Sequence, residues 1–562
     1  MDTPQPFSLL WPAGAARCHT ELNDQCVRDL ELDQTLLALT RSSIERGKVR
    51  EILTRICTDP AVIAYRQDVI EDLWDHPEFL DGVEALLPSI GALDSYRSSF
   101  DRKRSTFQDV TWRLGELDHF VTCVDGLSRL FDALGEGLRA AGWRSLRKLI
   151  CQTAADPVYR NLARELPGML DTLRTKASVT IGVNLDGQLR PVAATLLSVN
   201  ARRFVSSSFL DRLLGRERGE FKGIGPLHSV PAIDPGPGIP GLAGARQDVN
   251  PLMVPLFSDL ARVLDSVCRP IARTLRGYTT MQSGFLATLG GDMTFYLAAL
   301  RLMKRLRGEG LPVCRPCILP AEERVGKLRQ AYNLNLALQG AGQPGLAERI
   351  VRNDVCMNRR HRIAVLTGPN QGGKTTYTQM VGLCHILAQA GLWLPAAEAH
   401  ISPVDNIFTH YPVEEQQAKA TGRFGDEAQR LAQIFKRATR HSLILLNESL
   451  SSTSPGESVY LAQDISRILR RMGSRAVFAT HLHELAAAVP RLNAEEDGEG
   501  GLVSLVASRL QEGENAQQRS YKILPGPPMG HSYAREIASK YGISYEQLAA
   551  LLRQRGVLDD PS

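Results

Sequence analysis

No run in this sequence approaches the ~18 consecutive apolar residues that a bilayer-spanning helix needs, so a helical membrane protein is excluded. Met1 to Trp11 lack a basic segment followed by an apolar stretch, so no secretory leader is expected and the chain reads as cytoplasmic. The 10 cysteines show no repeating spacing, and a chain large enough to bury its own core needs no disulfide framework. Cys314 and Cys317 form the one close pair, with no second pair at metal spacing, and are expected to be reduced thiols. Charge of one sign is also scarce: a net charge of +5 permits contact with an anionic polymer without demanding one. With 43% hydrophobic and 23% charged residues, the composition is that of an ordinary globular protein. Its 562 residues exceed what one core holds, and roughly three or four domains of ~150 residues are expected.

From about Glu21 to Thr175 the pattern is helix after helix. Leu117, Phe120, Val124, Leu127, Phe131 and Leu134 recur at steps of three and four, which puts one apolar stripe on a helix packed in a bundle. The period then changes to two: Val179, Ile181, Val183 and Leu185 alternate, Asp186-Gly187 signals a turn, and Val192 to Val199 return, predicting a hairpin. The stretch from Gly223 to Pro251, dense in proline and glycine, cannot hold a helix and reads as a loop or linker. Helical spacing resumes with Phe285, Leu289, Met293, Tyr296, Leu300 and Met303 on one face of a long helix ending near Gly308. From Arg349 strands and helices alternate, as in a parallel sheet with crossover helices. Ile363 to Leu366, Leu443 to Leu446 and Ala476 to Ala479 are short apolar runs, expected as strands buried on both faces. Glu495 to Gly501 reads as a surface loop, and Ser544 to Arg555 as a short closing helix.

Gly368-Pro369-Asn370-Gln371-Gly372-Gly373-Lys374-Thr375 follows the first of these strands and opens a helix, the context a phosphate-binding loop requires. Glycines let backbone N–H groups converge on phosphates, the helix N-terminus adds positive potential, Lys374 reaches the terminal phosphates, and Thr375 can ligate Mg²⁺. Further on, Leu443 to Glu448 has the form of a strand ending in polar side chains. A carboxylate there, Glu448, suits orientation of an attacking water, because phosphoryl transfer needs positioning and charge neutralisation rather than covalent help. His481, at the end of Phe478-Ala479-Thr480-His481, is placed to sense the γ-phosphate; standing alone, a histidine at a strand end is more often structural.

These motifs together resemble the MutS family. Thr367 to Thr376 is similar to its P-loop, Gly422-Arg423-Phe424-Gly425-Asp426-Glu427 to its signature segment, Asn447-Glu448 to its Walker B end, Ser451 to Ser454 to the following D-loop, and Ala479 to Leu485 to its switch-histidine segment. Tyr521-Lys522 and Gly526 to Tyr533 resemble the closing strand and the start of a helix-turn-helix dimerisation element. Asp292, in its long helix, and Asn353-Asp354 resemble the lever helix and an adenine-side contact. The resemblance implies ATP and Mg²⁺ as ligands. Gly368, Pro369, Asn370, Gln371, Gly372, Gly373, Lys374, Thr375, Thr376 and Asn353 would bind the nucleotide, with Thr375 and Asn447 at the metal, the latter through water. Glu448 and His481 would be catalytic. It also implies a homodimer in which Gly422 and Arg423 of one subunit face the nucleotide of the other, with helical arms reaching around DNA.

Three departures shape the expectation. Asn447 stands where the family has an aspartate, which removes a negative charge near Mg²⁺ and points to ATP binding with slow hydrolysis. Gly422 replaces the signature serine, leaving a backbone N–H without a hydroxyl. No Phe-x-Glu wedge of the kind that unstacks bases is found near the start, nor a Smr nuclease domain, so mismatch recognition of the usual kind is not expected from this chain alone.

The resulting fold expectation is α plus α/β multidomain: a helical MutS-type core and lever with a small β-containing clamp, followed by a P-loop ATPase with a mainly parallel sheet. Its domains are a helical core (1–175), a β-containing clamp-like region with the Pro/Gly-rich loop (176–265), lever helices and connector (266–345), the P-loop ATPase domain (346–535) and a C-terminal helical dimerisation element (536–562). The leading functional expectation is a dimeric, ATP-switched clamp on double-stranded or branched DNA, in repair or recombination; Arg102, Lys103, Arg104, Arg202, Arg203, Arg216, Arg218 and Lys222 could touch phosphates, but solvated helix faces are the better explanation of these charges. The alternative is an ATP-binding switch whose helical half docks a partner protein. An ABC-type ATPase lacks support, since neither a Leu-Ser-Gly-Gly-Gln segment nor long heptads are found.

Overall fold

Helices of 6 to 29 residues build the N-terminal half in the computed structural model, as the three-and-four spacing of its apolar residues dictates. The structure describes residues 7–17, 19–98, 106–174, 178–189, 191–200, 205–206, 222–223, 271–275, 278, 284–369, 371–412, 422–495, 498–509, 519–528 and 541–555. Two units are distinguished: Met1–Leu9 with Glu71–Met293, and Leu10–Ile70 with Thr294–Ser562. No helix among the described residues is long and apolar enough to cross a membrane.

In the first unit, the helix Thr106–Leu134 buries the stripe read from the sequence, with Leu117, Phe120, Val124, Leu127 and Phe131 all buried. Phe79 anchors the bundle, its ring 5.7 Å from Phe131 and 5.0 Å edge-on from Trp143. The helix Ala141–Ala155 starts without a capping side chain of its own, since its N-cap is Ala140. Asp72 supplies one from elsewhere in the chain, accepting the amides of Arg139 at 3.1 Å and Ala140 at 2.7 Å. A carboxylate there also meets the positive end of the helix dipole. The predicted hairpin is present as Ser178–Leu185 paired antiparallel with Pro191–Asn200. Its turn is closed by the Asp186 side chain accepting the Gln188 amide. Asp292 is buried in the helix Gly284–Gly308, where its carboxylate accepts Ser8 Oγ at 2.8 Å and the Leu9 amide at 2.7 Å. The predicted loop beyond Gly223 and the arginine and lysine candidates at 102–104, 202–203, 216 and 218 lie outside the described residues, and of Lys222 only the backbone is described.

The second unit holds the strand and helix alternation. In chain order its main elements are β1 (Ile363–Thr367), α1 (Lys374–Gln389), β2 (Ile407–His410), α2 (Gly422–Arg437), β3 (Leu443–Asn447), α3 (Pro455–Met472), β4 (Arg475–Ala479), β5 (Leu502–Arg509) and β6 (Arg519–Pro525). Among the described residues the six strands form one sheet in the order β2-β3-β4-β1-β5-β6, parallel throughout except for the antiparallel edge strand β6. Every residue of β1, β3 and β4 is buried, which explains why these strands read as unbroken apolar runs.

One face of the sheet, with Ile363, Val365, Ile444, Leu446, Ala476 and Phe478, packs against Leu431 and Ile434 of α2 and Ala462 and Leu469 of α3. On the other, α1 sits so close that a Cβ at Gly382 would lie 2.7 Å from Leu30 and 2.9 Å from Leu445. From Tyr377 to Gln389 α1 is wholly buried, so it shows no polar face. A second, four-stranded sheet of Cys317–Ile318, Glu398–Ile401, Gly326–Ala331 and Asn353–Met357 had no counterpart in the sequence reading. Nor did the short ladder of His19–Glu21 with Arg55–Cys57, which interrupts the expected helical run.

Candidate functional site

β1, β3 and β4 are parallel neighbours, so their C-terminal ends reach the same edge of the sheet, the position where open α/β sheets bind ligands. The ladder continues one residue past each strand: Thr480 N donates to Leu366 O at 2.9 Å, and Glu448 N to Ala479 O at 2.8 Å. Side chains that follow β1, β3 and β4 therefore emerge together.

The loop from Gly368 to Gly373 joins β1 to α1. Gly368 has φ +150°, and a Cβ there would stand 2.7 Å from Ala507 Cβ on β5, so no other residue fits. Gly373, at φ +89°, is the N-cap of α1 and brings no capping side chain, and the first turn holds no acidic residue. The leading amides of α1 are thus left for an external anion.

Lys374 is almost fully buried, and its Nζ donates to Gly368 O and Pro369 O, both at 3.1 Å. Its remaining neighbours are His481 Nε2 at 3.3 Å and Glu448 Oε1 at 3.7 Å. Glu448 Oε1 and His481 Nε2 are 2.9 Å apart. One ring nitrogen cannot both donate to the carboxylate and accept from the ammonium. The shorter contact favours an Nε2–H donated to Glu448, which leaves the third Lys374 proton facing the carboxylate. Burial pushes the Lys374 ammonium pKa down from its ordinary value, and the Glu448 carboxylate opposes this. The His481 hydrogen bond holds the Glu448 carboxyl below its usual range against the effect of burial. Glu448 also sits at φ +52°, a left-handed conformation that costs a residue with a side chain on the order of 1 kcal/mol or more.

Thr375 Oγ1 donates to Asn447 Oδ1 at 3.3 Å. A hydroxyl and a carboxamide oxygen beside a carboxylate form an all-oxygen donor set, the kind a hard divalent cation takes. Loop amides, a buried ammonium and these oxygens together fit a polyphosphate carrying such a cation.

Beside the loop lies a space of about 480 Å³ lined by Gln371, Gly372, Gly373, Lys374, Thr375, Thr376, Glu448 and Asn353, all singled out in the sequence except that Asn353 has a second use. Its carboxamide donates to Tyr521 O at 3.1 Å and accepts the Ile523 amide at 2.8 Å, bracing β6. Gly368 and Pro369 act through the Lys374 bonds, and Asn447 and His481 through Thr375 and Glu448. Asn370 lies outside the described residues. Gly422 and Arg423 open α2, and of these two only the backbone is described. Sequence reasoning gave no site role to the rest of the wall, in which Leu336, Val351, Met380 and Tyr521 form an apolar side, with Asn333, Arg349 and Tyr377. Tyr521 is half exposed and packs beside Gly373; a large aromatic left uncovered on an edge strand was the available signal. Cys314 and Cys317 are free thiols, that of Cys314 pushed up to about 11 by burial. Among the described residues no group of three or more His, Cys, Asp or Glu is gathered in a metal-holding arrangement.

Residues 364–548 match the family model for MutS domain V, and residues 58–309 that for the MutS2 N-terminal domain. Similar proteins include the DNA mismatch repair protein MutS of Thermus aquaticus, 33% identical over 251 residues that make up 42% of this chain and 29% of that protein. The protein of the same name from Chlorobium phaeovibrioides is 36% identical over 200 residues, 35% of this chain and 22% of the relative. DNA mismatch repair protein MutS 2 of Halobacterium salinarum is 38% identical over 143 residues, 25% of this chain and 17% of the relative. The matched stretches thus span less than a third of these relatives' lengths. With MutS-family models matched over 58–309 and 364–548 and relatives of that name at 33–38% identity, the chain belongs to the MutS family.

Proposed function

We propose that this chain binds ATP with Mg²⁺ beside the 368–375 loop and uses it, as a homodimer, to switch its grip on double-stranded or branched DNA in repair or recombination. The observation that carries the reading is the convergence of Lys374, the first residue of the uncapped helix α1, with Glu448 and His481, just past the ends of the adjacent parallel strands β3 and β4. The loop amides and Lys374 would hold the β- and γ-phosphates, exchanging the carbonyls of Gly368 and Pro369 for phosphate oxygens. Thr375 would hold Mg²⁺ directly and Asn447 through a water, and the metal supplies neutralisation of phosphate charge. Glu448 orients the attacking water and His481 fixes that carboxylate, consistent with their short contact. Tyr521 with Leu336, Val351 and Met380 offers an apolar wall to a base. Asn447 brings no charge to the metal, so slow Mg²⁺-dependent hydrolysis is the expected activity.

In this reading 346–535 is the nucleotide-handling domain and 536–562 the dimerisation element, with core, clamp and lever segments at 1–175, 176–265 and 266–345. DNA as partner is supported by the name that the matched relatives carry.

Nucleotide titration of the full chain tests the site. Lys374→Ala removes a charge-assisted contact of about 1.5–3 kcal/mol, so affinity for ATP should fall on the order of ten- to a hundredfold. Retained affinity would refute the assignment. The DNA half is tested by binding to duplex and branched DNA across a salt series, where several phosphate contacts predict a steep loss of affinity.

A further inference from the structure

Two elements distant in sequence, α2 and the end of β2, converge on the short loop after β3 together with α3, which directly follows that loop. Glu448 and Leu450 both have left-handed backbones, at φ 52° and 68°. Residues with side chains disfavour that conformation, so the loop keeps this path only if it is held from outside. Glu427 of α2, just over one turn beyond Gly422 and only 6% exposed, holds one side of it. Its carboxylate accepts the Leu450 amide and, at 3.3 Å, the Ser452 amide. From the opposite side Ser458 Oγ of α3 donates to Leu450 O at 2.7 Å. Ser449 Oγ, between them, is 2.7 Å from His410 Nδ1 at the end of β2. Both backbone polar groups of Leu450 are therefore tied, each to a different helix.

Resting on the ATP reading above, we propose that Glu427 is a positioning residue, which fixes the 448–452 loop so that the Glu448 carboxylate stays against His481 and Lys374. Glu427 does not line the nucleotide space, and it acts on Glu448 through backbone alone. Because it shares α2 with Gly422 and Arg423, a displacement of that helix end reaches Glu448 through two hydrogen bonds. The segment that the family resemblance assigns to the partner subunit's nucleotide is in this way wired to the carboxylate of its own site.

ATP binding, steady-state hydrolysis and amide exchange are measured on the full chain, in the wild-type and Asn447→Asp backgrounds. Glu427→Gln keeps the shape but presents an amide NH₂ to one of the two N–H donors. It should lower kcat on the order of ten- to a hundredfold, as misplacement of a reacting group does, with KM and ATP affinity within about threefold of the parent. Exchange at the Leu450 and Ser452 amides should rise while β3 and α3 stay protected. If Glu427→Gln does not fold, Ser458→Ala frees the loop from its other side without touching a buried carboxylate and should lower kcat in the same way. Parental kcat with the loop freed, or exchange rising equally across β3 and α3, overturns the proposal. Hydrolysis by neither parent, with ATP still bound, overturns it too by removing the reaction that Glu448 would serve. Absence of ATP binding by the parents is a different result, which sinks the nucleotide reading itself.

Discussion

His385, in the middle of α1, makes the second unit acid-labile in a way that can be worked out. Its ring is fully buried, and a carbonyl can only accept, so the 2.8 Å contact with Val381 O requires the proton on Nδ1. A second proton would have to go on Nε2, which has no hydrogen-bond partner and faces Gly326. Burial, with Arg475 nearby, therefore lowers its pKa to about 3, against the help of the Val381 carbonyl. The unfolded chain binds this proton near pH 6.5 and the folded one does not. Stability is thus intact above about pH 6.5 and falls as the pH drops toward the folded value. At pH 5 the unfolded imidazole lies about 1.5 pH units below its own pKa, so the loss from this one residue is about 2 kcal/mol. His410, lowered to about 4 mainly by burial, adds a similar amount over the same window. The assay is hydrogen exchange of the α1 amides at pH 7 and pH 5, corrected for the intrinsic pH dependence. His385→Asn keeps a donor near Val381 O and removes the titration. It starts less stable, because a smaller side chain leaves a void, but should lose about 2 kcal/mol less than the parent between the two pH values. Equal losses in parent and variant would show that His385 is not the acid-sensitive group.

Two further outcomes follow from the site. Gly368→Ala forces a side chain into a conformation reserved for glycine and against Ala507, so urea unfolding should show a loss of about 1–3 kcal/mol; a loss near zero would mean that the loop has another stable path. Asn447→Asp restores a charge beside Thr375 and should raise Mg²⁺-dependent ATP turnover about tenfold, or about 1.4 kcal/mol of barrier. An unchanged or lower rate would show that the asparagine does not limit the site.

The parallel sheet and its glycine-rich loop were legible because burial on both faces strips a strand of polar residues, and because Gly368 to Thr375 must follow one directly. The long helices at 106–134 and 284–308 announced themselves by period. The four-stranded sheet did not. Gly326–Ala331 carries Lys327, Arg329 and Gln330, so its alternation is that of an exposed ribbon and shows no apolar run. Arg55–Cys57 is three residues long and follows a helix directly, too short for any period to register. Asp72 as a cap for Ala141–Ala155, and Glu427 as a tie for Leu450, are contacts between distant positions, and no local pattern encodes them. Asn353 shows the converse: its residue type and place marked it as a nucleotide contact, while its side chain is committed to the backbone of β6.

The close approach of Leu30 to Gly382 has a consequence for synthesis. The Leu10–Ile70 segment leaves the ribosome before Glu71–Met293 of the other unit, and its packing partners in Thr294–Ser562 come last. Leu30, fully buried in the finished protein and packed against α1, must wait in water or in a chaperone's keeping until α1 emerges. A fragment cut to begin at Thr294 would lack the layer that covers α1 and would aggregate through that uncovered side. Supplying residues 10–70 as a separate peptide should restore its solubility.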